Sequence, residues 1–440
     1  MSDLLLRRAS VGPGRVIDLL VRDGRIAEAA PGAGGGDVEV VDLEGRPTLP
    51  GLVDHHTHLF ALAASWTSVD CSPAALEAAG GLVATLRAAR ERVGRGWVRG
   101  IGYDMVASGA IDRTDLDRAK AGPVRIQDRT GIFWVLDSAG LALVVADSNE
   151  RPEEVAVDGA GRPTGVIRRG DRWLRGRLVE EPPDLHQVGE WLARRGVTAV
   201  TDAGATNTDD DVATLRSAGL PQRITVMTGN PSPPAGGVGP VKLVLDGDRL
   251  PDLADLQSKV MAAHDAGRAV AVHAVDPESV VLALAAGLGP GDRIEHATHV
   301  PDDVVPLMAN AGVTVVVQPG LVETRGDRYL EEVPAREHHE LHRLKSFLDA
   351  GIHVMGGSDA PFGPADPWRH IAAAVRRRTS TGVAFGPGES LPAIEALRLY
   401  LGPPLEPGAA ADVAVLDATW DDLADDPAVA MTFVGGRRVR

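Results

Sequence analysis

The sequence predicts an α/β protein built on a (β/α)8 barrel, with a small β-domain assembled from both termini and an inserted α+β subdomain. Three observations carry this. Between Gly51 and about residue 400, short apolar runs alternate with segments of helical period, the pattern of a parallel sheet with helices outside it. Eight such runs can be counted in that span. The residues able to do metal chemistry fall at the C-terminal ends of these runs, where barrel enzymes keep their sites.

Composition narrows the class. At about 150 residues per domain, 440 residues suggest two or three units, although a barrel can absorb most of them as one. The apolar fraction of 44% suffices for a large core, and 51 Gly with 31 Pro imply many tight turns. A net charge of −16 would be repelled by nucleic acid and by anionic membranes, so the expected partner is a small molecule. The lone Cys71 excludes an internal disulfide and a multi-thiolate zinc site, which leaves His, carboxylate or something less usual to hold any metal. No run reaches the roughly 18 apolar residues of a membrane span, and the expectation is a soluble cytoplasmic protein.

Residues 1–50 carry short strand-like runs, among them Val16–Val21 and Val38–Leu43, with Asp23-Gly24 as a hairpin signal. The runs Ala411–Asp417 and Met431–Val439 have the same texture, so 1–50 and 401–440 are read as one β-domain flanking a barrel of 51–400. The first barrel strand is followed by an Ala-rich helix expected over Pro73–Val93. The stretch from about 97 to 181 breaks the rhythm with strands of its own and is read as the insertion. The rhythm resumes at Val197–Asp202 and continues through Ile224–Met227, Val241–Asp246, Ala269–His273, Arg293–His296, Val313–Gln318 and His353–Asp359. The acidic run Asp421–Asp426 reads as a solvated loop.

The first barrel strand, entered through Pro50-Gly51, ends in His56-Thr57-His58, two imidazoles on one side of a strand and so half of a metal site. His273 ends the fifth strand, His296 the sixth and Asp359 the eighth. Singly, each could be a hydrogen-bonded core residue or a helix cap; together at strand ends they point to a metal. Lysine occurs four times in the chain, and Lys242 lies inside the apolar fourth strand, where an unpaired ammonium is costly to bury. It is either an inward lysine paired with Asp246 or Asp359, or a neutral amine that carries CO2 as a carbamate and bridges two metals.

These motifs, with Pro50-Gly51-Leu52-Val53-Asp54, Ile294-Glu295-His296 and Gly357-Ser358-Asp359-Ala360-Pro361, resemble the metal-dependent amidohydrolase superfamily, and within it the branch typified by N-substituted formamide deformylases. Gly196–Asp202, Leu344–Gly351 and Leu405–Gly408 extend the resemblance over essentially the whole chain. It implies a distorted barrel beside a small β-sandwich, with zinc at the strand ends, one or two ions per chain. His56, His58 and Asp359 would bind the more buried ion, and His273 and His296 the second, bridged by carboxylated Lys242. Zinc lowers the pKa of water from about 15.7 to about 7, and Asp359 would act as general base and acid in cleaving an amide, cyclic amide or N-acyl bond by metal-activated hydroxide.

The chain departs from its relatives at Ile132 and Asp137, where a His and an Asn are usual, and in a shortened loop after the fourth strand, so no substrate is inherited. Candidate pocket residues are Tyr103, Asp104, Trp134, His299 and Gln318. A lactonase, an aminohydrolase or a barrel that has lost catalysis are the alternatives. Asp276 stands at the position where deaminases of the superfamily tend to carry Glu. The expected partners are a small-molecule substrate and further copies of the chain in a homo-oligomer.

Overall fold

The computed structural model describes residues 3–34, 36, 38–145, 154–178, 183–232 and 239–440. They fall into two compact units, Met1–Leu59 with Leu185–Arg440, and Phe60–Asp184. No helix among the described residues is long and apolar enough to cross a membrane.

The first unit contains the β-sandwich and the barrel. One four-stranded sheet orders Arg25–Ala30, Arg15–Arg22, Leu4–Gly12 and Glu39–Asp42; the other orders Arg437–Arg438, Ala428–Val434, Val413–Asp417 and Thr48–Pro50. Asp23 and Gly24 both take positive φ (48° and 73°), the backbone of the tight hairpin their identities predict. Leu6, Leu19 and Ile26 from one terminus bury against Val413, Val415 and Phe433 from the other, so neither terminal segment has a core without its counterpart.

The eight expected barrel strands form in two arcs. Arg223–Val226, Val197–Asp202 and Leu52–Thr57 make one, and Val241–Val244, Val270–Ala274, Arg293–His296, Thr314–Val317 and His353–Gly356 make the other, all pairs parallel. Between the third and fourth strands the link is a single bridge, Thr228 to Val241, with the Lys242 N–H donating to the Thr228 carbonyl at 2.9 Å. Between the eighth and first, Leu399–Gly402 fills the gap: Gly356 N–H donates to Leu399 O at 2.7 Å and Val53 N–H to Tyr400 O at 2.7 Å. The Tyr400 ring is fully buried there and occupies the space a Cβ on Gly356 would need, at 2.2 Å from its Cζ. This is the physical form of the distortion: a wedge of later chain holds apart strands that would otherwise pair.

The second unit carries a six-stranded sheet ordered Val155–Val157, Pro163–Arg168, Phe133–Leu136, Val124–Asp128, Val98–Tyr103 and Val69–Asp70. It begins at Phe60, well before the expected 97, because Leu76, Leu86 and Ala89 bury against Val98, Val124 and Ile126. The expected end near 181 lies outside the described residues. The single helix expected over Pro73–Val93 is two, Pro73–Ala78 and Leu82–Val93, broken where Gly80 and Gly81 take φ of 80° and 103°.

One buried histidine ties barrel helices together in a way that fixes its charge. The Gly320 N–H donates to His370 Nδ1 at 2.9 Å, and His370 Nε2 faces the Pro364 carbonyl at 2.7 Å, so the ring must be the neutral Nε2–H tautomer. Burial lowers its pKa from 6.5 to about 4. The unfolded chain therefore takes up this proton first as pH falls, and the stability the group contributes is full above about 6.5 and is lost toward 4. At about 1.4 kcal/mol per pH unit this amounts to about 3 kcal/mol. His370→Gln is expected to lower stability at pH 7 and to flatten the decline between pH 6.5 and 4, as read by urea unfolding across that range; an unchanged slope refutes the assignment.

Candidate metal centre

The centre is built outward from the first strand. Alternation along Leu52–Thr57 places Asp54 and His56 on one side, both buried. The Asp54 carboxylate crosses to the end of the eighth strand: Oδ1 accepts the Ser358 N–H at 2.9 Å and Oδ2 the Ser358 hydroxyl at 2.5 Å. Asp54 also takes the His56 N–H at 3.1 Å. Asp359 then donates its own N–H to the His56 carbonyl at 2.7 Å. This close approach requires Gly357, whose Cβ would lie 2.6 Å from that of His56.

The sixth strand supplies the other half. Arg293 and Glu295 share a face, and the guanidinium grips the carboxylate at 2.6 and 3.0 Å. Glu295, fully buried, also holds His56 Nδ1, which turns Nε2 toward Asp359 Oδ1, 3.5 Å away. Neighbours on a strand point to opposite faces, yet His296 packs its ring 4.8 Å from that of His56. Its backbone explains this: His296 and Ala297 take φ of 76° and 44°, a left-handed turn that re-aims the side chain, and Gln318 Oε1 then fixes Nδ1 at 2.8 Å.

The ligand atoms of His56, His296 and Asp359 all lie within 4.8 Å of one another. His58 Nε2 is 3.2 Å from Asp359 Oδ1, and the His273 ring is 4.5 Å from that of His296. The tightest trio thus draws from both of the ligand sets that the sequence divides between two ions. Lys242 is buried and its Nζ has no hydrogen-bond partner, so neither Asp246 nor Asp359 pairs with it.

Burial lowers the pKa of His56 to about 3 and pushes those of His273 and His296 down too, which keeps the imidazoles neutral. Burial opposes ionisation of Asp359, but the His58 hydrogen bond and the facing imidazoles hold its carboxyl well below the usual range. Glu295 is held down against the same penalty by Arg293, Lys242 and His56. Burial lowers the Lys242 amine to about 8. Neutral imidazoles and an ionised carboxylate are the protonation states that metal ligation requires, and an amine lowered toward the neutral range gives up its proton more readily for carbamate formation, so the donor set fits a divalent cation.

The expected substrate contacts fare differently. Tyr103, Asp104 and Trp134 belong to the second unit and are engaged within it: the Tyr103 hydroxyl donates to Gly109 O at 2.9 Å, Asp104 pairs with Arg129 at 2.7 Å, and Trp134 Nε1 donates to Asp171 at 2.8 Å. Gln318 positions His296, and His299 pairs with Glu340 at 3.0 Å. Sequence reasoning missed Arg293, Glu295 and Asp54 as supports; the available signal was charge at alternate positions of otherwise buried strands.

The Amidohydrolase family matches residues 39–402. Over 95% of this chain and 94% of the relative, the sequence is 25% identical to the N-substituted formamide deformylase of Arthrobacter pascens. Among solved structures, a metal-dependent hydrolase from Pyrococcus horikoshii superposes with a TM-score of 0.75 at 21% identity, over 95% of this chain and 98% of that one. A second, from Pyrococcus furiosus, gives 0.68 at 24% identity over 95% and 99%. The two structures are similar in fold, and the family match runs from the sandwich through all eight strands to the wedge that closes them: the chain belongs to the amidohydrolase family.

Proposed function

We propose that the protein is a zinc-dependent hydrolase that cleaves the C–N bond of a small, non-peptide amide, cyclic amide or N-acyl compound. The observation that carries this reading is the buried Lys242 amine, without a hydrogen-bond partner, in the same unit as the convergent His56, His296 and Asp359 and on the same arc of strands as His296. The formamide deformylase named above acts, by its name, on N-substituted formamides, which supports an acyl–nitrogen bond as the target.

His56, His58 and Asp359 would hold the more buried ion and His273 and His296 the second. Lys242 would bridge them after its amine forms an N–C bond to CO2 and releases a proton. Bound there, zinc lowers the pKa of water toward 7 and polarises a carbonyl oxygen. Asp359, ionised and aimed into the cluster, takes the proton from the attacking water as the C–O bond forms. It returns that proton to the nitrogen as the C–N bond breaks, so the products are a carboxylic acid and an amine. Glu295 and Gln318 keep His56 and His296 in the tautomers that leave Nε2 free.

An aminohydrolase is less well supported. Asp276 is spent as a helix cap, accepting the Ser279 N–H and hydroxyl at 2.8 Å each.

Elemental analysis of the purified protein, with intact mass under conditions that preserve a carbamate, is expected to show about two zinc per chain and one added CO2; one ion and no CO2 would point to a mononuclear enzyme. Asp359→Asn is expected to keep the fold by circular dichroism and to lower kcat by about 10²–10⁴-fold; a variant with most of its activity removes Asp359 from proton transfer. Lys242→Ala is expected to lose zinc and turnover together, with partial recovery in bicarbonate plus a short-chain acid. Glu295→Gln is expected to weaken zinc binding by about 10- to 100-fold in a chelator competition, and unchanged affinity would relegate Glu295 to packing.

A further inference from the structure

Beside the metal ligands the first unit gathers positive and hydrogen-donating groups that have no counterpart. Arg377 is 1% exposed; its Nε donates to the Phe385 carbonyl at 3.1 Å, but Nη1 and Nη2 are buried without a partner. His342 is 6% exposed and its Nε2 is also buried without a partner. The two flank one ring: the Arg377 guanidinium carbon lies 5.5 Å from the Phe385 centroid and the His342 ring 5.9 Å from it. Arg325 completes the group. It is half-buried, bonded to Tyr329 and to the Phe362 carbonyl at 2.7 Å, and makes no ion pair with a carboxylate among the described residues.

Backbone bonds tie this cluster to the loops that carry the ligands. Phe362, held by Arg325, donates its N–H to the Asp359 carbonyl at 2.8 Å and packs its ring 5.6 Å from that of His58. His342 donates its N–H to the Thr298 carbonyl at 2.7 Å, two residues beyond His296. His342 also takes φ of 47°, so backbone strain is accepted to hold its ring between Tyr329, 4.9 Å away, and Phe385. Burial, then Arg377 and Arg325, lowers its pKa to about 3, so it stays neutral and one ring nitrogen carries a hydrogen to donate.

A buried guanidinium whose Nη1 and Nη2 meet no acceptor is costly, and the more anomalous in a chain of net charge −16. Glu389 lies near Arg377 but spends its oxygens on the Leu344 N–H at 2.8 Å, the Ser346 N–H at 2.9 Å and the Ser346 hydroxyl.

We propose that Arg325, His342 and Arg377 form a subsite for a carboxylate carried by the substrate, which makes the substrate class N-acyl amino acids and related acidic amides. This rests on the hydrolase reading above and adds its specificity: the three donors hold the anion, and the acyl–nitrogen bond faces the metal ligands.

The test uses the zinc-loaded protein and two readouts. Calorimetric titration with benzoate reports the subsite without turnover; kcat/KM for N-acetyl amino acids against N-acetyl amines of matched size reports the preference. Wild type is expected to bind benzoate and to prefer the acidic substrates at least tenfold. Arg325→Met is expected to weaken benzoate by about 10- to 100-fold and to erase the preference through KM, with Arg325→Lys recovering part of both. His342→Asn, which tolerates the left-handed backbone, is expected to shift both readouts in the same direction. Benzoate bound equally by wild type and Arg325→Met would be a metal ligand, and that result, like no binding at all, overturns the subsite. Benzoate binding that depends on Arg325 and His342 in a protein that hydrolyses neither series keeps the subsite and refutes the hydrolase reading instead.

Discussion

The Asp54 carboxylate joins the first barrel strand to the end of the last, and the metal centre depends on that join. The wall of the barrel is not closed there by a ladder of paired strands, so three hydrogen bonds, from the Ser358 N–H, the Ser358 hydroxyl and the His56 N–H, set where Asp359 stands relative to His56. Burial raises the Asp54 pKa to about 6, and the Ser358 and His56 donors offset part of that penalty. A donor left without its acceptor in such a place costs about 1–3 kcal/mol, so the clamp is specified more by what its loss would strand than by what each bond adds.

Strain collects at the same place. His296, Ala297 and Asp359 all have left-handed backbones, which cost non-glycine residues on the order of 1–3 kcal/mol each. The surroundings over-determine all three. Gln318 fixes the His296 ring, Arg293 and Glu295 fix the His56 ring that faces it, and Gly357 allows the eighth strand close enough for Asp359 to bond the His56 carbonyl. Ligand positions are thus set by a rigid frame and do not wait for a cation to gather them.

The barrel was legible because its strands are short, apolar and regularly spaced, and the convergence of His56, His296 and Asp359 because each stands at or just beyond the end of one. The wedge at Leu399–Gly402 was not, since nothing in its local pattern says that Tyr400 will fill a gap between strands distant from it in sequence. The second unit was placed too late in the chain because the helices before Val98 have the same amphipathic texture whichever sheet they cover; only the burial of Leu76 and Leu86 against Val98 and Val124 decides it. Tyr103 and Trp134 stand as expected pocket residues on a weak signal, because polar aromatics in an irregular region serve binding and packing equally well. Their hydroxyl and indole N–H turn out to be spent on Gly109 and Asp171. Arg325, His342 and Arg377 carried no motif; what marks them is the lack of any partner at His342 Nε2 and at Arg377 Nη1 and Nη2, with Arg325 close by and in no ion pair among the described residues, properties that exist only in three dimensions.

The wedge between the eighth and first strands has a consequence for how the molecule is made. Gly402 bonds back to Gly51 at 3.0 Å and Tyr400 to Val53, while Thr48–Pro50 pairs with Val413–Asp417. The residues that finish the barrel wall and the sandwich therefore lie far along the chain from the strands they complete. Until they dock, the first strand, with His56 and His58, has an exposed edge, and the apolar faces of Leu6 and Leu19 lack their covering sheet. Contacts between residues this far apart in sequence slow folding and lengthen the life of sticky intermediates. The ligand-bearing end of the first strand thus owes its second neighbour to residues that fold back from a great distance in sequence.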